Sequence, residues 1–145
     1  MQIKFQLLNK DATIPTCASF GSAGYDLYAC LGKNEIFINP NERILIQTGI
    51  AIEIPHGYFG MVCSRSGLAK KFGITVLNAP GIIDSDYRGE IGVILHNGGN
   101  VPALIKNNQR IAQIIIVPYL QTEWIQTEFL SETSRGTGGF GSTGI

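Results

Sequence analysis

Alternation at every second residue restricts this chain more than any other feature. Ile50, Ile52 and Ile54 form one apolar triplet, Ile91, Val93 and Leu95 a second, and Ile3, Phe5 and Leu7 a third. A period of two sets the members of each triplet on one face of an extended strand, which a helical stripe of period 3.6 does not do. Turn signals follow such runs closely: INPNE at 38–42, IPHG at 54–57, NGGNVP at 97–102 and VPYL at 117–120. With 21 isoleucines and 18 glycines, the chain favours pleated, half-buried segments over long helices. Many short strands punctuated by Gly and Pro predict an all-β fold, a barrel or distorted jelly roll. One segment reads as helix: SGLAKK, Ser66 to Lys71, is long enough for one or two turns, with Ser66 available to cap the first amides.

A length of 145 residues predicts one domain, and 44% hydrophobic residues supply a core without disulfide staples. Eleven basic residues balance 11 acidic ones, so no basic excess draws the surface to a nucleic-acid backbone. No apolar run approaches membrane length, and MQIKFQLLNKDA has no secretory h-region. The expectation is a soluble intracellular protein without nucleic-acid or membrane partners, cytoplasmic by default, with a nuclear or viral setting left open. Cys17, Cys30 and Cys63 have no CxxC spacing, and two histidines complete no zinc pattern, so they read as reduced, buried thiols. Composition shifts only at the end: residues 1–132 read as the β domain, and 133–145, TSRGTGGFGSTGI with five glycines, as a flexible C-terminal arm.

Four places break the strand logic. In SAGYDLYA (22–29), Asp26 follows Gly24 and Tyr25 and is either a turn residue or a functional carboxylate. In CSRSGLAKKFG (63–73), Arg65 and two serines interrupt an apolar run before Gly67, giving either an anion cradle or a capped turn with Arg65 in a salt bridge. In NAPGIIDSDYRGEIGVILHN (78–97), Ile82 and Ile83 anchor a turn shaped by Pro80 and Gly81, and then Asp84, Asp86, Tyr87 and Arg88 crowd together. That is either a solvated hairpin or a site. Asp84, next to two isoleucines, is the carboxylate best placed to be held against apolar surface and to activate water. The arm itself is either a loose tail or a clamp in which successive amides face an anion, with Arg135 adding charge and Phe140 a stacking face.

Taken in order, SAGYDLYA, SRSGLA, NAPGIIDSDYRGEIGV, QRIAQIII and RGTGGFGSTG resemble the five motifs of the trimeric deoxyuridine triphosphatases, the dUTPases, in order and in spacing from residue 22 to residue 144. The resemblance implies a jelly-roll subunit in a homotrimer with shared active sites, hydrolysing dUTP to dUMP and pyrophosphate with Mg2+. A P-loop is excluded, since the arm lacks a GK[ST] ending. Carried onto matching positions, the resemblance makes Asp84 the base for the attacking water and Tyr87 the wall that rejects a 2′-hydroxyl. Asn78, with the backbone from Gly81 to Ile83, would read the uracil edge. Arg65, Ser66 and Gly67 would hold phosphates, Gln113 would contact the α-phosphate, and Asp26 would hold the metal through its bound waters. From the arm, Arg135, Gly139, Gly141, Ser142 and Thr143 would cover the β- and γ-phosphates while Phe140 lies over the base.

Two positions depart from the family pattern. Ser64 stands where Pro is usual, and Gln109 where an Asp usually precedes Arg110, which leaves the partner of Arg110 open and makes it a structural residue. Two rival functions share the fold. A dCTP deaminase needs a Glu beside C4 of the base, and the matching position is Ile94, which transfers no proton. A non-enzymatic trimeric nucleotide sensor would be favoured by loss of Asp84 or of the arm; neither is lost, which leaves open only a second, regulatory role beside catalysis.

Overall fold

The computed structural model describes residues 1–139. The expected substrate contacts Phe140, Gly141, Ser142 and Thr143 lie outside the described residues. The element order is β1 (Lys4–Leu7), β2 (Thr16–Cys17), β3 (Tyr25–Tyr28), β4 (Glu35–Ile38), β5 (Arg43–Gln47), β6 (Ile50–Glu53), β7 (Tyr58–Cys63), α1 (Ser66–Phe72), β8 (Ile74–Val76), β9 (Gly81–Ile83), β10 (Gly92–Asn97), β11 (Ala103–Lys106) and β12 (Arg110–Pro118). The strands pair antiparallel in a five-stranded sheet β2-β3-β12-β7-β9, a three-stranded sheet β5-β10-β8, and the pairs β1-β6 and β11-β4. Hydrogen bonds do not close these sheets into one ring, so the architecture is a distorted jelly roll, as the turn spacing predicts.

The alternation specifies the core directly. Ile50, Ile52 and Ile54 are buried, as are Ile91, Val93 and Leu95, and they meet Leu27, Ile38, Ile46 and Ile111 between the sheets. Each fully buried side chain of this size contributes about 1.5–3 kcal/mol. Two buried polar side chains are fully partnered. Asn97 donates to the Ile38 and Val101 carbonyls at 2.8 and 2.9 Å, and Thr48 donates to the Ile91 carbonyl at 2.7 Å. Both tie turns to the core without leaving a group unsatisfied.

Three sequence expectations change. Of the triplet Ile3, Phe5 and Leu7, only Phe5 and Leu7 lie on β1, and both remain about half exposed, because β1 pairs only with β6 and nothing among the described residues covers its outer face. Ser66 is the first helical residue and no cap: Arg65 occupies the N-cap with extended backbone and no side-chain bond to the helix. The helix stops at Gly73, whose φ of 69° and contact with Gly99 backbone leave no place for a Cβ. The cysteines are free, but Cys17 is exposed and Cys30 and Cys63 are half-buried. Burial first, then the Asp11 and Glu90 carboxylates, raise the Cys30 thiol above its ordinary range.

Candidate active site

Strand register brings three of the motifs into one row. On the five-stranded sheet Asp26 of β3 lies opposite Gln113 of β12, and Gln113 opposite Cys63 of β7, so the segment leaving β7 places Ser64 and Arg65 beside Asp26. Arg65 Nε donates to Asp26 Oδ1 at 2.8 Å, and Arg110 Nη1 donates to Asp26 Oδ2 at 3.1 Å. Arg65 also reaches the Arg110 carbonyl at 3.3 Å. Both oxygens of a carboxylate that is 11% exposed are thereby held by guanidinium groups, which makes the pairing worth more than a surface ion pair. Of the two readings open for Arg65, the salt bridge is present, and Arg65 remains a quarter exposed beside the unpaired first amides of α1 at Ser66 and Gly67. Gln113 Nε2 donates to the Ser64 carbonyl at 3.1 Å. Gly24 makes room for that side chain, since a Cβ there would lie 3.2 Å from Gln113 Cδ and closer still to its oxygen.

The departures acquire physical reasons here. Ser64 Oγ accepts the Val76 amide at 2.8 Å, which anchors the turn to β8. Gln109 Oε1 accepts the Lys106 amide at 2.9 Å and closes the β11–β12 turn, so that Arg110 is left to pair with Asp26. Arg110, read from sequence as structural with an open partner, makes its ion pair with Asp26, and no local signal marks a partner 84 residues away.

The hairpin after β9 builds a second cluster. A cavity of about 320 Å³ is lined by Asn78, Ile83, Asp84 and Tyr87 together with Leu45, Gln47, Ile82, Glu90, Gly92 and Ile94. Gly81 sits under Asn78, where a Cβ would approach Nδ2 to 3.3 Å. The Tyr87 amide donates to the Asp84 carbonyl at 3.2 Å and closes the turn. The Asp84 side chain is exposed at the cavity rim beside isoleucines, and it makes no hydrogen bond among the described residues. That differs from the expected fixed orientation: the apolar neighbours are there, but no donor among the described residues holds the carboxylate. Ile82 points outward and only Ile83 packs inward. Gln47 and Glu90 in the lining were not singled out from sequence, because they come from other segments.

The two clusters share no residue. Counting across the sheet, Asp84 follows β9, three strands over from β3 and four residues along from the Asp26 row, or roughly 20 Å at ~4.8 Å per strand and ~3.3 Å per residue. The described part of the arm joins neither: Arg135 Nε donates to the Gly138 carbonyl at 2.8 Å, and Gly139 is half-buried beyond it. A larger concavity of about 440 Å³ lies elsewhere, walled by Ile3, Phe5, Ile14, Pro15, Ile52, Ile114 and Ile116. It has an apolar wall with no convergent polar side chains, the character of a packing surface and not of a catalytic one. No group of three or more His, Cys, Asp or Glu side chains converges among the described residues, and none of their helices is long and apolar enough to cross a membrane.

Comparison with known proteins agrees with the motif resemblance. The dUTPase family profile matches residues 10–144. The deoxyuridine 5'-triphosphate nucleotidohydrolase of Wolbachia sp. subsp. Brugia malayi is 54% identical over 99% of this chain and 93% of its own length. That of Nautilia profundicola is 52% identical over 99% of both. Among solved structures, a point mutant of the Staphylococcus bacteriophage 80alpha dUTPase with dUpNHpp superposes with a TM-score of 0.90 at 29% identity, over 99% of each chain. A point mutant of the dUTPase of S. aureus phage phi11, described as coordinating a structural Mg(II) ion, superposes at 0.82 with 25% identity, over 91% of this chain and 100% of that one. With the profile covering residues 10–144, nearly the whole chain, this chain belongs to the dUTPase family.

Proposed function

We propose that the protein is a dUTP diphosphatase. It hydrolyses dUTP to dUMP and pyrophosphate, limiting uracil incorporation into DNA and supplying dUMP for dTMP synthesis. The observation that carries this reading is the hairpin cavity, where a carboxylate (Asp84), an amide (Asn78) and an aromatic ring (Tyr87) meet against isoleucines. Asn78 and the backbone from Gly81 to Ile83 offer donors and acceptors complementary to the uracil edge, while cytosine presents an amine where uracil has a carbonyl. The Tyr87 ring lies against the deoxyribose and excludes a 2′-hydroxyl. Asp84, exposed at the rim, accepts a proton from the water whose oxygen bonds to the α-phosphorus as the bond to the bridging oxygen breaks. Pyrophosphate leaves with that oxygen.

Arg65, Ser66, Gly67 and Gln113 hold phosphate oxygens, with Arg135, Gly139, Phe140, Gly141, Ser142 and Thr143 of the arm closing over them. Positioning and charge stabilisation carry the rate. A magnesium ion travelling with the triphosphate supplies neutralising charge on its oxygens. Asp26 suits contact through metal-bound water better than direct ligation, because each of its oxygens already accepts from an arginine. Ile94 in the cavity wall disfavours the deaminase reading, since it moves no proton.

Three features support homotrimeric assembly with shared sites. The clusters lie too far apart in one chain to grip one nucleotide. Leu120, Trp124, Ile125, Phe129 and Leu130, leading into the arm, are each at least 79% exposed, which a second copy would cover. The apolar concavity offers such a surface. Relatives from bacteria fit a cytoplasmic setting. The direct assay incubates the protein with dUTP, dCTP, dTTP and UTP plus Mg2+ and measures pyrophosphate and ammonia. Release from dUTP alone is expected; comparable release from all four, or ammonia from dCTP, overturns the reading.

A further inference from the structure

We propose that Gly89 is a positioning residue that, with the carbonyl and carboxylate of Glu90, seats the Tyr87 ring and so sets selection against ribonucleotides. This rests on the reading of Tyr87 as the sugar-facing wall. The ring folds back over Gly89: a Cβ built there would lie 2.5 Å from Cζ and 2.9 Å from Cε2, and closer still to the hydroxyl. Gly89 is not among the glycines with positive φ, so no left-handed backbone requirement explains it. The ring alone excludes a side chain. Beyond Gly89, the Tyr87 hydroxyl donates to the Glu90 carbonyl at 3.0 Å, so the ring is held at its edge and at its tip.

That seat is tied to a closely packed turn. Glu90 Oε1 accepts the Gly49 amide at 2.7 Å. Gly49 has a φ of 71°, and a Cβ there would meet Ala12 Cβ at 2.6 Å and Cys30 Sγ at 2.9 Å, so the turn is closely packed and admits only glycine. On the other side, Arg88 Nη1 donates to the Ser85 and Tyr87 carbonyls at 2.7 and 2.9 Å and holds the turn before the ring. A tyrosine free to turn about its χ angles moves away from a 2′-hydroxyl at little cost. One pinned at both ends does not, and steric rejection of a small group requires such a wall.

The test is a double-mutant cycle read as the ratio of kcat/KM for dUTP to that for UTP. Gly89→Ala displaces the ring and is expected to lower the ratio ~10-fold, the scale of one small steric feature in a pocket. In a Tyr87→Ala background the same substitution is expected to change it less than ~2-fold, because no ring is left to displace. A loss that is equal in both backgrounds assigns Gly89 a merely structural role and overturns the proposal. If Tyr87→Ala leaves the ratio unchanged, the sugar-wall reading itself fails. If Tyr87→Ala lowers it and Gly89→Ala does not, only the seat fails. Should Gly89→Ala yield no folded protein, Tyr87→Phe keeps the ring but removes its tether, and is expected to lower the ratio ~3-fold; an unchanged ratio there overturns the proposal.

Discussion

Asp26 lies within β3 and Asp84 directly after β9 of the same sheet, yet their surroundings are opposite. Asp26 is nearly buried and receives a guanidinium on each oxygen. Asp84 lies exposed at the rim of an apolar-walled cavity and accepts nothing among the described residues. A carboxylate whose lone pairs are committed to two arginines organises other groups. One whose lone pairs are free is available to take a proton when substrate and water arrive. The contrast separates the residue that holds two arginines in place from the residue proposed to act on water.

The comparison breaks most sharply at Asp84. Asp84→Asn is expected to lower kcat by ~10² to 10⁴, because the amide does not accept the water's proton, while leaving Tm and nucleotide binding near those of the parent. A single-turnover assay beside a thermal melt checks both. Unchanged kcat removes Asp84 from the role of base.

Asp26 is expected to behave the other way, through stability. Asp26→Ala leaves Arg65 and Arg110 without a counter-charge at a nearly buried position. Breaking a fully buried pair costs about 3–5 kcal/mol, and because Arg110 is 48% exposed the expected loss is smaller, about 2 kcal/mol. Urea denaturation measures it. A loss of rate at parental stability would mean that Asp26 acts only through metal-bound water and not by holding the two arginines, and would erase the contrast.

The same contrast explains what the sequence reveals. The triplets at 50–54 and 91–95 predict buried strands correctly because local alternation and the core that covers it lie in the same chain. The triplet at Ile3, Phe5 and Leu7 carries the same pattern, but its covering surface is not among the described residues, so alternation alone misjudges its exposure. Arg110 shows the limit for the site. Its neighbour at 109 suggested an open partner, while the actual one, Asp26, is reached only through the β3–β12 register and the bulge between Arg110 and Ala112. Gln47 and Glu90 enter the cavity lining for the same reason, through the pairing of β5 with β10 and the turn at Gly49. Motif spacing names residues, whereas strand register decides which of them meet.

The central claim is that a working site draws on more than one copy of the chain, and reconstitution tests it most directly. Asp84→Asn chains and chains truncated before Arg135, each nearly inactive alone, are unfolded, mixed in equal amounts and refolded together. Random co-assembly is expected to restore roughly one quarter of parental activity, since a site that takes its hairpin and its arm from different copies is complete with two independent chances of one half. Isolated mixed oligomers with no activity above that of the separate variants would show that each chain completes its own site and would contradict the account.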